Sequence, residues 1–268
     1  MPTVTTHGHQ MHYLDREGEG PPVLMVHSSG LNARQWIGLR ALLSGRRVVI
    51  PDLNGYGESS QWQGGDDFDW RIDVEGLEAI LELHEGPWDV VGHSYGGLLA
   101  MRVAVRNPSR VRRLSMHEPV VWGVLASDGK PEDAQALQDT IDRLFAGDEP
   151  LTEAAWMAYF VDFWNGPGAW DSLPEGRQAQ WVSVAQKVIP EVRAICFDQT
   201  AAATWAQIAM PTLITMGADS PRVERAACEI LASVMPNARL LNTSGGHMAP
   251  ITHGREVLEH HRAFVSEF

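Results

Sequence analysis

The stretch Asp89–Ala100, DVVGHSYGGLLA, decides the fold. Its two valines suit a buried strand, and the residues after Gly97 suit a helix. Glycines two places before and two places after Ser94 suit neither, because glycine weakens strand and helix interiors alike. They make sense if the chain turns sharply at Ser94 from strand to helix, where side chains at 92 and 96 would collide with neighbouring backbone. A G-x-S-x-G turn of this kind lifts the serine hydroxyl above the sheet. It also aims the next helix's N-terminus at that hydroxyl, which favours a developing negative charge. The alternative reading of Ser94 is a purely structural serine.

Outward from this turn, strands alternate with helices, the pattern of a mostly parallel sheet covered on both faces. TVTTHG and QMHYLDR read as an opening hairpin, PVLMVH (22–27) and RRVVIP as buried strands, and FDWRIDVEGLEAILELH as an amphipathic helix. WDVVGHS and RVRRLSMHE are two more strands, with a helix over 97–106 between them. From Pro119 to about Gln207 strand signals vanish and helical patterns take over. Alternation resumes with PTLITMGADS, a helix over RVERAACEILASVM, a strand at ARLLNTSGGH and a terminal helix. No linker, repeat or low-complexity tract divides the chain. The expected division is therefore a core of residues 1–118 and 208–268 with a helical cap at 119–207.

Composition bounds the function. The 268 residues carry a net charge of −13 and are 44% hydrophobic, enough for a large core and unsuited to a nucleic-acid surface, which needs clustered Lys and Arg. Two cysteines, Cys196 and Cys228, imply no disulfide framework. MPTVTTHGHQMHY lacks the charged start and apolar run of a signal peptide, and no apolar stretch approaches the ~20 residues of a membrane span. The expectation is a cytoplasmic protein with no membrane or nucleic-acid partner; a homodimer stays open.

HSSGL after an early strand, DLNGYGES after the next, GHSYGG at the turn and GGHMAP near the end together resemble the α/β-hydrolase superfamily, over nearly the whole chain. The resemblance implies an eight-stranded, mostly parallel sheet with a helical cap inserted after the sixth strand. It also implies a Ser-His-acid triad needing no cofactor or metal. Haloalkane dehalogenases and epoxide hydrolases of this fold carry aspartate at the turn, and Ser94 argues against both.

A serine hydroxyl needs a base to become a nucleophile. Of eleven histidines, His247 in SGGHMAP follows the last strand, in the order this fold uses: nucleophile, acid, histidine. His7, His9 and His12 imitate a metal cluster but fit alternation in a hairpin. His27 matches the family's oxyanion-loop histidine, His93 fills the turn, and His84, His253, His260 and His261 read as helix-end or surface residues.

Two residues compete for the acid. Asp219 lies in GADSP, where most relatives place theirs, but the usual position is three residues past Gly217, at Ser220. Glu118 ends RVRRLSMHEP, similar to the strand end where one group of haloalkane dehalogenases and the fungal lactone hydrolases that open zearalenone carry a glutamate. Glu118 is the preferred acid, with Asp219 the alternative. The backbone of Tyr95 and of Ser29 is expected to supply the oxyanion donors, although Ser28 stands where relatives have glycine.

Six of ten tryptophans fall within 119–207, and Trp122, Trp164 and Trp170 are taken as substrate-facing, the last two flanking a glycine-rich turn. The expected substrate is a small ester or lactone with an apolar or aromatic group. C–C bond hydrolases and haloperoxidases of the fold would share the triad, and a non-catalytic ligand-binding member could retain it.

Overall fold

The computed structural model describes residues 2–64, 68–145 and 151–267. Residues 146–150 of the helical stretch lie outside the described residues.

The chain opens with β1 (Thr3–Thr6) and β2 (His9–Arg16), an antiparallel hairpin, then β3 (Glu19–Val26), α1 (Ile37–Leu42), β4 (Arg46–Pro51) and α2 (Arg71–Leu81). The central unit is β5 (Trp88–His93), α3 (Tyr95–Arg106) and β6 (Val111–His117). Helices α4 (Gly123–Asp128), α5 (Pro131–Phe145), α6 (Glu153–Asn165), α7 (Glu175–Ser183), α8 (Ala185–Cys196) and α9 (Ala202–Trp205) follow. The chain closes with β7 (Thr212–Gly217), α10 (Arg222–Val234), β8 (Ala238–Thr243), α11 (Ala249–Thr252) and α12 (Gly254–Ser266). The eight strands form one sheet in the order β1-β2-β4-β3-β5-β6-β7-β8. From β4 to β8 all neighbours are parallel, and β2 runs antiparallel to β4.

Successive strand side chains point to opposite faces, and the two faces feed separate cores. Val23, Met25, Val48, Ile50 and Val91 pack with Trp36, Leu39, Leu258, Phe264 and Val265 on the α1–α12 side. Leu24, Val26, Val49 and Val90 pack with Val74, Leu77, Ile80, Leu99 and Val103 of α2 and α3 on the other. A strand buried on both faces has no polar alternation, which is why Val48–Ile50 and Val90–Val91 read as continuous apolar runs.

His261, expected at the surface, is fully buried on α12, its Nδ1 2.7 Å from Ser115 Oγ. Its neighbours Leu258 and Phe264 fix the helix face toward the sheet and carry the imidazole inside. Among the described residues no helix is long and apolar enough to cross a membrane, and no three His, Cys, Asp or Glu side chains cluster as a metal site.

Candidate active site

Ser94 joins β5 to α3 with φ 56° and ψ −124°, left-handed backbone that a serine adopts at a cost of about 1–3 kcal/mol. The flanking glycines permit it. A Cβ at Gly92 would lie 2.5 Å from the Gly96 carbonyl oxygen, and one at Gly96 would strike the Val26 and His27 carbonyls. The β5–β6 register pairs His93 with His117, so Ser94 and Glu118 leave the sheet side by side. The Ser94 N–H donates to the His117 carbonyl (3.0 Å), and Glu118 too sits at positive φ, 45°.

His247 comes from the loop after β8. Its Nε2 is 2.8 Å from Ser94 Oγ and its Nδ1 2.8 Å from Glu118 Oε2. With Nδ1–H donating to the carboxylate, Nε2 is free to accept the serine proton. All three side chains are buried, Ser94 most exposed at 6%. The second oxygen of Glu118 accepts the Gly217 N–H (2.6 Å) and the Ser220 hydroxyl (2.5 Å). Burial works to raise the Glu118 pKa, but the His247 hydrogen bond and the neighbouring His117 and His247 outweigh it and hold it below the ordinary carboxylate value.

Asp219 is not brought to this centre. It is exposed, and its N–H donates to the Gly245 carbonyl at the loop surface. Ser220 occupies the inward position instead and spends its hydroxyl on Glu118.

Tyr95 is the first residue of α3, so its N–H has no acceptor within the helix. Ser29 is buried, and its Oγ has no partner among the described residues. Its loop is held by two histidines. His27 Nδ1 bonds the Ser28 carbonyl (2.8 Å) while its Nε2 accepts the Leu53 N–H (2.9 Å), and burial lowers its pKa, as suits a neutral structural ring. His93 takes Gln35 Nε2 on Nδ1 (2.9 Å) and donates from Nε2 to the His247 carbonyl (2.7 Å), while Gln35 Oε1 accepts the Ser28 N–H (2.9 Å). The residue that looked like filler thus ties the Ser28–Ser29 loop to the His247 loop.

Two narrow chambers meet at Ser29, Phe160 and Trp164. The larger holds Ser94 beneath Val120, Trp122, Leu144, Phe163, Val192 and Ile195. The smaller holds His247 with Ser28, Val161, Asn165, Trp181 and Met248. Trp122 and Trp164 line the chamber that holds Ser94, and Trp122 is anchored by its indole N–H to the buried Glu224 (2.8 Å). Trp170 lines neither chamber; in the turn after α6 its backbone N–H donates to Asp162 Oδ1 (2.7 Å) and its backbone carbonyl accepts from Gln178 Nε2 (2.9 Å). Sequence reading missed Phe160, Phe163 and Trp181. The first two stand three and four positions from residues of the same face, in the aromatic run WMAYFVDFW, a helical spacing that could have flagged them.

A family model described as "alpha/beta hydrolase fold" matches residues 21–254. A 2-hydroxymuconate semialdehyde hydrolase of Pseudomonas putida is 28% identical over 95% of this chain and 90% of its own. Lipase LipV of Mycobacterium tuberculosis is 29% identical over 66% of this chain and 72% of its own. A hydrolase crystal structure from Pseudomonas aeruginosa superposes with a TM-score of 0.77 at 21% identity, covering 99% of this chain and 98% of that one.

Proposed function

The chain belongs to the α/β-hydrolase family, and from that premise we propose that it is a cofactor-independent serine hydrolase cleaving a carboxylic ester or lactone with an apolar or aromatic group. The observation that carries this reading is the hydrogen-bonded line from Ser94 Oγ through His247 to Glu118, opening into an apolar chamber. Residues 119–207 act as the cap over it.

His247 Nε2 takes the hydroxyl proton as Ser94 Oγ attacks the carbonyl carbon. The carbonyl oxygen becomes an oxyanion, which the N–H groups of Tyr95 and Ser29 receive; one such donor is worth about 10²–10³ in rate. The tetrahedral intermediate collapses, His247 protonates the departing oxygen, and Ser94 retains the acyl group. Water, deprotonated by His247, then releases the acid and restores the serine. The leaving group departs on the His247 side, into the smaller chamber, and the acyl group lies in the larger.

C–C bond cleavage uses the same residues, and the 2-hydroxymuconate semialdehyde hydrolase among the relatives favours it as the second reading. The chamber linings favour a neutral substrate: among the described residues there, only His247 carries a titratable side chain, so an anionic substrate would find no lysine or arginine.

The test pairs wild type with Ser94→Ala on p-nitrophenyl acetate and butyrate, followed by a panel of esters, lactones and thioesters, with fluorophosphonate labelling alongside. Turnover and labelling by wild type alone are expected. Labelling of the mutant equal to wild type removes Ser94 from the chemistry, and a wild type inert on the whole panel and towards the probe leaves a ligand-binding member of the fold.

A further inference from the structure

Helix α8 presents two kinds of surface. Val192 and Ile195 line the Ser94 chamber. Lys187 and Glu191, one turn apart, are 2% and 0% exposed, pressed into the core rather than into solvent. Lys187 Nζ lies 3.0 Å from Glu191 Oε1 and 3.2 Å from Oδ2 of Asp73, a buried residue of α2. Four rings surround the ammonium: Phe68 at 4.2 Å, Trp62 at 5.3 Å, Tyr56 at 5.8 Å and Tyr95 at 6.0 Å.

Three of the four carboxylate oxygens in this cluster accept a hydrogen bond, and among the described residues the fourth, Glu191 Oε1, has the Lys187 ammonium beside it as an ion-pair partner. The Tyr56 hydroxyl donates to Glu191 Oε2 (2.7 Å), the Tyr95 hydroxyl to Asp73 Oδ2 (2.9 Å) and the Asn54 N–H to Asp73 Oδ1 (2.9 Å), leaving Glu191 Oε1 to Lys187. Charges taken out of water are costly unless partnered, and here one ammonium serves two carboxylates from different elements, an arrangement that favours the placement of α8 that keeps all three together.

The cluster touches the site at two points. Through α8 it sets the wall of the Ser94 chamber. Through the Tyr95 hydroxyl it holds the residue whose backbone N–H faces the developing oxyanion. We propose that Lys187 is a positioning residue that fixes α8 and Tyr95 in one arrangement, so that seating the cap and aiming the oxyanion donor are a single event. This inference rests on the reading of Ser94 as nucleophile.

The test compares Lys187→Met and Tyr95→Phe with wild type, all as full-length protein, well below their melting temperatures. The readouts are kcat and KM on p-nitrophenyl acetate, whose acyl group is too short to press on Val192 and Ile195, and the rate of fluorophosphonate labelling. Expected is a fall in kcat of about tenfold or more with KM within about twofold, and a parallel fall in labelling rate, because the oxyanion donor is no longer held in its aim. A merely structural cluster would lower the melting temperature and leave both rates within about twofold of wild type, which overturns the proposal. If Lys187→Met does not fold, Tyr95→Phe and Glu191→Gln, which keep the packed shapes, decide by the same criteria. A wild type that neither turns over nor labels overturns the Ser94 reading, and this inference with it; an active wild type with unaffected variants overturns this inference alone.

Discussion

The Trp164 indole stacks on the His247 imidazole, 3.5 Å between ring centroids and 18° between planes. The His93 ring approaches the same imidazole at 4.9 Å, and His247 is left 2% exposed. Helix α6 therefore supplies part of the base's own surroundings rather than a distant cover.

Because Trp164 also forms the wall shared by both chambers, Trp164→Ala should change which substrates fit. A loss in kcat/KM of about tenfold or more on butyrate and longer esters is expected, with a smaller loss on acetate. Trp170→Ala, outside both chambers, should stay within about twofold at every chain length. A chain-length series of p-nitrophenyl esters measures this. Equal losses across the series for Trp164→Ala would take the residue out of substrate selection.

Ser220 stands where most relatives carry their acid, and its hydroxyl is one of three donors to Glu118. Ser220→Ala leaves that buried carboxylate short of a partner, a defect worth about 1.5–3 kcal/mol for a hydrogen bond to a charged group. The expected result is a kcat about tenfold lower with KM little changed, and a lower melting temperature. A kcat equal to wild type would show that Gly217 and His247 suffice to hold Glu118.

The sequence revealed most where structure is local. The G-x-S-x-G turn needs only its own five residues and the elements on either side, so Ser94 stood out at once. Glu118 was preferred over Asp219 from its place at a strand end, but the contacts of each depend on the β5–β6 register and on which way the loop after β7 points its side chains, and neither is local. Composition showed that tryptophans crowd 119–207, but not that Trp181 lines a chamber while Trp170 lines neither. Lys187 and Glu191 were invisible for a physical reason. A charged pair four residues apart on a helix ordinarily marks the solvent side, and only the arrival of Asp73 and four aromatic rings from elsewhere in the chain makes their burial tolerable. His261 misled in the same way.

The buried histidines give stability a pH dependence of known sign. Burial lowers His117 to about 4 and His261 to about 3, and pushes His93 down as well. In the unfolded chain each takes its proton near 6.5. Between these values the unfolded state binds protons that the folded state does not, so falling pH draws the equilibrium toward unfolding. Their contribution is complete above 6.5 and is lost as pH falls toward 4 and below. Glu118, held below its ordinary value, adds a loss of the same sign at lower pH. Buried Glu191 and Glu224, raised by burial, act with the opposite sign, so the histidine contribution is read by difference: the fall in melting temperature between pH 6.5 and 4 should be smaller in His261→Gln than in wild type. An equal fall in the two proteins would contradict the buried, neutral state of His261.

The last prediction separates Glu118 from Asp219. Glu118 sits at a strand end with its carboxylate gripped by the His247 Nδ1–H, the Gly217 N–H and the Ser220 hydroxyl. All three are donors, so the position calls for an acceptor on both oxygens. Glutamine keeps the shape but turns an NH₂ toward one of them. If that group meets His247, Nδ1 must become the acceptor and the proton moves to Nε2, the tautomer that cannot take a proton from Ser94. Glu118→Gln should therefore fold and bind substrate but lose about 10³–10⁴-fold in kcat. Asp219 is exposed and, among the described residues, is held by its backbone bond to Gly245 alone, so Asp219→Asn should lose less than about tenfold. Both variants are checked by melting curves and assayed on one good ester, with fluorophosphonate labelling to report the reactivity of Ser94 separately from turnover. The reverse ranking would move the acid to Asp219 and leave Glu118 a structural carboxylate at the entrance to the cap.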